Sequence, residues 1–573
     1  MTPSRMMMVK QQAQPSVDVD DGRMTTVSSE LARTLVDIGC RRAFGILGGA
    51  AVPMFSALVE SGLDPIHTRH EAGAAFMALE HDLAGGGPGL VFTTTGPGMT
   101  NAITGLAAAR SEGGRVILVS ALTGAPLRGR YSFQASDAEN YAHCGLYGAG
   151  GWFDDAIALE SAEQLPRVRA RLLEGLRRPQ GFVAHIAVPL QIQNAPSLAL
   201  GPAPVHIDAD ISVEGARAVR AALGERVVVW VGHGAREASA QVRALVDRLD
   251  ARVICSPRGK GIFPASDSRF LGVTGFGGHE RVFERRTRFA PDTTLVLGSR
   301  LGEFTSFWDP RLVEGTRIVH VDVDSTVFGA AYSDVETVGV TAEIRGLLSR
   351  LLEVLPASDA PRGGGTMRAV SPTYARSTGR GVPCRAVMQS VQRVVVDGTR
   401  AKVLAEAGNA FVWATHALRF EHPGRFRVSM GFGSMGHMAA GVVGTAMGVG
   451  GPAVAIVGDG SMLMNNEITT AVQQGAPAVW VVLNDGRYGL VADGMQGLGH
   501  TPHGLDIPAV DFAAIARAMG AHAITVRDPS LLDEALREAL RCGGPCLVDV
   551  LVDSDETAPF GARNRSLAAQ RDA

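Results

Sequence analysis

Three α/β domains, each a doubly wound parallel sheet, are the fold class this sequence predicts. Its 573 residues suit three domains at roughly 100–200 residues each. Short apolar runs alternate with helix-like segments along the chain, and that alternation implies parallel strands joined by crossover helices. The runs are rich in Val, Ile and Phe and do not alternate with polar residues, the pattern of strands buried on both faces.

Residues 1–23 are polar and patternless and read as a disordered tail. The first domain is expected over 24–193, with strands near 44–47, 90–93, 116–120 and 182–188 and helices over 29–38 and 71–83. A proline-containing break at 194–204 leads into a central domain over 205–355, with strands near 227–231, 294–297 and 318–323. A linker over 356–382 carries Gly363-Gly364-Gly365 and Pro372. The last domain, 383–573, has strands near 403–406, 453–457, 479–483 and 547–552 and a helix over 467–474.

Apolar residues make up 46% and charged residues 19%, the balance of a soluble globular protein. A net charge of −3 argues against nucleic acid or a membrane surface as partner. No stretch approaches the ~20 apolar residues of a membrane span. The run Met6–Val9 is too short for a signal peptide. Of the six cysteines, only Cys542 and Cys546 lie close together, with no second Cys or His pair beside them, so a zinc site is not expected. Reduced thiols in a cytoplasmic protein are the simpler expectation.

The chemistry-bearing signal lies in the last domain. The strand near 453–457 runs into Gly458-Asp459-Gly460-Ser461, and the next strand ends in Asn484-Asp485-Gly486-Arg487-Tyr488. Ligands of open α/β sheets sit at such C-terminal strand ends. Glycines there let backbone N–H groups approach a phosphate. Asp459 and Asp485 supply hard oxygens, and Mg²⁺ commonly takes one or two carboxylates plus substrate phosphates. The pattern therefore reads as a diphosphate held through Mg²⁺.

These two motifs, about 26 residues apart, resemble the diphosphate and Mg²⁺ motif of thiamine-diphosphate enzymes, the family of acetolactate synthase, pyruvate decarboxylase and benzaldehyde lyase. The family usually has Asn-Asn where this chain has Asn484-Asp485. Aligning backward from Tyr488-Gly489 puts Asp485 on the metal-binding Asn and the Arg487 carbonyl as backbone ligand, with Asn484 also a candidate for the ion. Other segments are similar to the family's as well: Arg69-His70-Glu71-Ala72-Gly73, Phe44-Gly45-Ile46-Leu47-Gly48-Gly49, Thr95-Gly96-Pro97-Gly98-Met99-Thr100-Asn101, Glu406-Ala407-Gly408-Asn409 and Gly433-Ser434-Met435-Gly436. The resemblance implies a pyrimidine-binding first domain and a diphosphate-binding last domain. It makes Glu71, Gln134 and Gly48 the candidate catalytic residues. The implied cofactor contacts are Asn101, Gly408, Asn409, Gly433, Met435, Gly458, Gly460, Ser461, Asn484 and Tyr488. The implied metal ligands are Asp459, Asp485 and Arg487.

Glu71 is implied to hydrogen-bond a pyrimidine nitrogen, and Met435 to wedge under a bent cofactor. The paired histidines of simple pyruvate decarboxylases are absent from Tyr131-Ser132-Phe133-Gln134-Ala135. Phe133-Gln134 instead resembles the acetolactate synthase group and favours carboligation. The central segment Ser299-Arg300-Leu301-Gly302-Glu303-Phe304 lacks the Arg-Phe-Asp-Asp-Arg stretch of that group, which argues against FAD. The implied activity joins an acyl-carbanion equivalent from pyruvate or a related 2-oxo acid to a carbonyl acceptor. A non-ligating decarboxylase or an aldehyde lyase is the alternative. The implied assembly is a homodimer or homotetramer with the active site at the subunit interface.

Overall fold

The computed structural model describes residues 24–136, 145–201, 212–356, 381–464 and 467–559. The expected tail, residues 357–380 of the expected linker and Cys144 lie outside them. Each third of the chain builds one six-stranded sheet, and every pairing within these three sheets is parallel.

The first sheet runs Asp64–His67, Arg42–Gly45, Gly89–Thr93, Arg115–Leu122, Phe182–Pro189, Asp155–Ala158 from edge to edge. The last runs Phe426–Val428, Lys402–Ala405, Ala453–Gly458, Ala478–Asn484, Cys546–Leu551, His522–Val526. Numbered by chain order within each sheet, both read 2-1-3-4-6-5. The central sheet reads 3-2-1-4-5-6, around Val227–Val231, Thr293–Leu297 and Arg317–Asp322. A small antiparallel pair, Met24–Thr26 with Pro196–Leu198, joins the two ends of the first third. The inner strands are buried along their length because helices cover both faces.

The first and last thirds are packed on one another. Helix Glu71–Leu83 starts after an extended His70, whose Nδ1 accepts the Ala72 N–H at 3.1 Å. It lies against helix His437–Val449, and almost every side chain of both helices along this contact is buried. The close approach needs glycine: a Cβ on Gly444 would stand 2.1 Å from the Met77 carbonyl oxygen. One apolar cluster runs through both thirds, from Phe44 and Leu106 to Met438 and Trp480.

Beside this contact lies a buried ionic hub drawn from all three thirds. Arg427 reaches Glu80 at 2.9 Å and Glu112 at 3.0 Å, Arg258 reaches Glu112 at 3.0 Å, and His437 reaches Glu80 at 2.9 Å. Glu112 Oε1 also accepts from Ser429 Oγ and from the Met430 and Gly431 N–H groups at 2.9–3.0 Å. Burial alone would raise the Glu112 carboxyl, but Arg427 and Arg258 outweigh it and hold the group well below the usual carboxylate range. Among the described residues no helix is long and apolar enough to cross a membrane, and the described cysteines are free thiols.

Candidate active site

In the last sheet the strand order reverses between Lys402–Ala405 and Ala453–Gly458, the position where open α/β sheets form a crevice. The loops leaving these strands and Ala478–Asn484 converge there on a cavity of about 240 Å³. Gly408, Asn409, Gly433, Met435, Gly458, Asp459, Gly460, Ser461, Asp485, Arg487 and Tyr488 all line it. Its walls are bare backbone where a phosphate would approach: a Cβ on Gly408, Gly433 or Gly458 would meet nothing within 4 Å. Gly408 also has φ +106°, a conformation that favours glycine, and it opens helix Asn409–Ala417. Asn409 Oδ1 is buried with no hydrogen-bond partner, so this wall holds unused polar capacity.

Two carboxylates, Asp459 and Asp485, share this lining. Asp459 is 3% exposed; Oδ1 accepts the Gly460 N–H and Oδ2 the Gly486 N–H, each at 2.7 Å. The Arg487 N–H and the Asp485 side chain also hydrogen-bond this carboxylate. Burial, then the charge of Asp459, pushes Asp485 up to about 7, and burial raises Asp459 as well. Two desolvated carboxylates that repel one another are what a divalent cation neutralises. Among the described residues no group of three or more His, Cys, Asp or Glu side chains is arranged to hold a metal by itself. A cation here would complete its shell with the Arg487 carbonyl and a ligand's phosphates, which suits Mg²⁺. Asn484 points elsewhere: its Nδ2 donates to the Val510 carbonyl and to Asp549 Oδ1, both at 3.0 Å, and it does not line the cavity.

The candidates of the first third form a second group. Glu71 is buried at the start of its helix, and its Oε2 accepts from Asn101 Nδ2 at 3.1 Å. Gly98 lies beside it, where a Cβ would be 3.3 Å from Glu71 Oε1. A Cβ on Gly48 would overlap the Thr94 side chain at 2.4 Å. Gln134 has φ +54°, and its backbone rests on Gly96, where a Cβ would meet the Gln134 carbonyl at 3.0 Å. None of Gly48, Glu71, Asn101 and Gln134 lines the cavity of the last third. Within one chain the two groups of candidates therefore do not share this cavity.

Other lining residues gave no motif signal. Cys384 and Trp413 come from helices Cys384–Ser390 and Asn409–Ala417, and Val552, Asp553, Ser554 and Glu556 follow the last strand. The one available cue was the acidic run Asp553-Ser554-Asp555-Glu556 after an apolar strand. The Glu556 side chain is fully buried, 3.6 Å from Arg385, and burial raises its carboxyl.

A glycine-walled cavity with two carboxylates at the reversal point of a parallel sheet suits a phosphate-bearing ligand. Comparison with known proteins gives this class its family. The sequence matches the N-terminal TPP binding domain of thiamine pyrophosphate enzymes over residues 25–141, the central domain over 218–351 and the C-terminal TPP binding domain over 406–550. The chain belongs to the thiamine pyrophosphate enzyme family. It is 29% identical over 545 residues to a probable 2-ketoarginine decarboxylase of Pseudomonas aeruginosa, covering 90% of this chain and 92% of that protein. It is 28% identical over 565 residues to the acetolactate synthase isozyme 3 large subunit of Escherichia coli, covering 93% and 96%. Its fold matches the thiamine diphosphate-dependent 4-hydroxybenzoylformate decarboxylase of Rhodococcus jostii with a TM-score of 0.78 at 21% identity, covering 93% of this chain and 100% of that one.

Proposed function

We propose that this protein is a cytoplasmic, thiamine-diphosphate-dependent decarboxylating carboligase. Its donor would be pyruvate or a related 2-oxo acid, its acceptor a carbonyl compound and its product a hydroxyketone. The cofactor assignment is carried by the cavity, whose lining combines Asp459 and Asp485 with bare backbone at Gly408 and Gly458.

Thiamine diphosphate, when bound, supplies the nucleophilic carbon that attacks the donor carbonyl and holds the electrons left as CO₂ departs. The protein's share is orientation and charge. Backbone at Gly408–Asn409 and Gly460–Ser461 would hold the diphosphate. Mg²⁺ would rest on Asp459, Asp485 and the Arg487 carbonyl. Met435, with Tyr488 packed over Gly460, would set the shape of the cofactor. Glu71, anchored through Oε2 by Asn101, would hold or move a proton at a pyrimidine nitrogen. FAD is not part of this reading.

The separation of the half-sites supports a homodimer or homotetramer in which one copy supplies Glu71 and its neighbours to the cavity of another. Exposed apolar residues beside each half-site agree: Tyr131 and Phe133 in the first third, Phe432, Met464 and Val491 in the last. The loop holding Gln134, with no histidine pair, supports ligation. The similarity to a probable 2-ketoarginine decarboxylase supports a second reading, a non-ligating decarboxylase.

The test is CO₂ release from pyruvate with thiamine diphosphate and Mg²⁺, with and without an aldehyde or second 2-oxo acid, products being identified by mass. A hydroxyketone supports the carboligase. Free aldehyde alone replaces it with the decarboxylase. No CO₂ from any of a panel of aliphatic, aromatic and guanidino 2-oxo acids refutes both.

A further inference from the structure

The cavity carries an unusual excess of one charge. Asp459, Asp485, Asp553 and Glu556 line it, and among the described lining residues Arg487 is the one basic side chain. The two groups of opposite charge that are closest in sequence, Asp485 and Arg487, leave the same strand end, and both side chains are largely buried.

The guanidinium stands between carboxylates without being locked onto any of them. Arg487 Nε is 3.7 Å from Asp485 Oδ2, and Nη2 is 3.6 Å from Asp493 Oδ1 on helix Gly489–Gly497. Both distances exceed a hydrogen bond but lie well within Coulombic reach. Its firm contact is a hydrogen bond from Nη2 to the Ser554 carbonyl. Nε is buried with no acceptor. A guanidinium with one hydrogen bond and an unused donor, on a residue that lines the cavity, has the chemistry to grip a phosphate oxygen.

We propose that the Arg487 side chain is the built-in counter-charge of this site: in the metal-free protein it neutralises Asp485, and on loading it yields Asp485 to the divalent cation and turns its free donor to the diphosphate. The inference rests on the thiamine-diphosphate reading above and adds to it a role for a side chain whose carbonyl alone had one. It also accounts for a carboxylate at position 485. An extra negative charge two residues before an arginine leaves the local charge balanced, so the metal-free carboxylate at 485 has a partner of opposite sign.

The idea makes predictions of opposite sign for metal and cofactor, which a merely structural role does not. Arg487→Met keeps the aliphatic stem and removes the charge. Binding of Mn²⁺ alone, followed by electron paramagnetic resonance, should tighten by about tenfold, because Asp485 and Asp459 are then unscreened. Binding of thiamine diphosphate at saturating Mg²⁺, followed by quenching of the cavity-lining Trp413, should weaken by roughly 10- to 100-fold, the worth of a charge-assisted hydrogen bond. The double variant Asp485→Asn/Arg487→Met should return Mn²⁺ binding toward the wild-type value. Arg487→Lys keeps the charge and should hold Mn²⁺ binding near wild type while still weakening the cofactor, which covers the case of a Met variant that does not fold. If Arg487→Met weakens both ligands, or changes neither, the counter-charge role is overturned. If wild-type protein quenches with neither thiamine diphosphate nor inorganic pyrophosphate in Mg²⁺, the cofactor reading itself has failed.

Discussion

Glu112→Gln tests how distant parts of the chain hold the segment leading to the cavity in place. Glu112 is 3% exposed and faces Arg427 and Arg258 at 3.0 Å each, while its Oε1 accepts from three donors of Ser429, Met430 and Gly431. Glutamine keeps the volume and one acceptor, but it removes the charge and turns an amide donor toward a guanidinium. Arg258 has little margin, since burial and then Arg427 already hold it down to about 9. Removing one partner of a buried ion pair costs about 3–5 kcal/mol. At about 2–4 °C per kcal/mol for a cooperative unit of 150–250 residues, the melting temperature should fall by about 6–20 °C. Hydrogen exchange should show the amides of Met430 and Gly431 losing protection first, ahead of the Gly433–Met435 stretch that lines the cavity. Arg258→Met added to Glu112→Gln should recover part of the loss. A single variant that melts like the wild type, with unchanged exchange at 430–431, would mean that Glu112 does not hold this segment.

Other expectations follow from the same geometry. Glu71→Gln can still accept from Asn101, so the fold should persist while kcat falls by about 100-fold or more and thiamine diphosphate still binds by tryptophan quenching; a fully active variant removes Glu71 from the chemistry. Gly444→Ala drives a methyl into the Met77 carbonyl and should cost about 1–3 kcal/mol of stability by thermal melting. His185 is buried between Ser120 Oγ at 2.7 Å and the Leu146 carbonyl at 2.6 Å, and burial holds it down to about 4. A depressed histidine contributes stability above its unfolded value near 6.5 and loses it as pH falls toward 4, at about 1.4 kcal/mol per pH unit. Urea melts at pH 7, 6 and 5 should therefore fall less steeply for His185→Gln than for the wild type, and identical slopes would show that His185 is not protonated on unfolding.

The inner strands were legible because burial on both faces writes an unbroken apolar run into the sequence. Val227–Val231 falls where expected, and Gly89–Thr93 and Arg115–Leu122 start or end within two residues of expectation. The strands the sequence did not reveal are mostly at sheet edges. Asp64–His67, Thr337–Thr341 and His522–Val526 are partly exposed and carry mixed residues, so no run marks them. Phe270–Val273 and Phe426–Val428 are buried but only four and three residues long, too short to stand out.

The local motifs named the cavity wall well, because a phosphate loop is a contiguous stretch of backbone whose glycines are visible in one dimension. Asp459 and Asp485 could be read as oxygen donors from their strand ends alone. The sequence could not say that Asn484 turns toward Val510 and Asp549, that Cys384 and Glu556 complete the wall, or that Glu112 clamps the segment leading to Met435. Those facts join residues tens to hundreds of positions apart, and side-chain direction and buried charge pairing are settled only when the sheets are packed. What the sequence determined by itself was the family chemistry, written in strand–loop motifs; what the tertiary structure decided was which of those residues share a cavity, because proximity between distant segments is a property of packing and not of order along the chain.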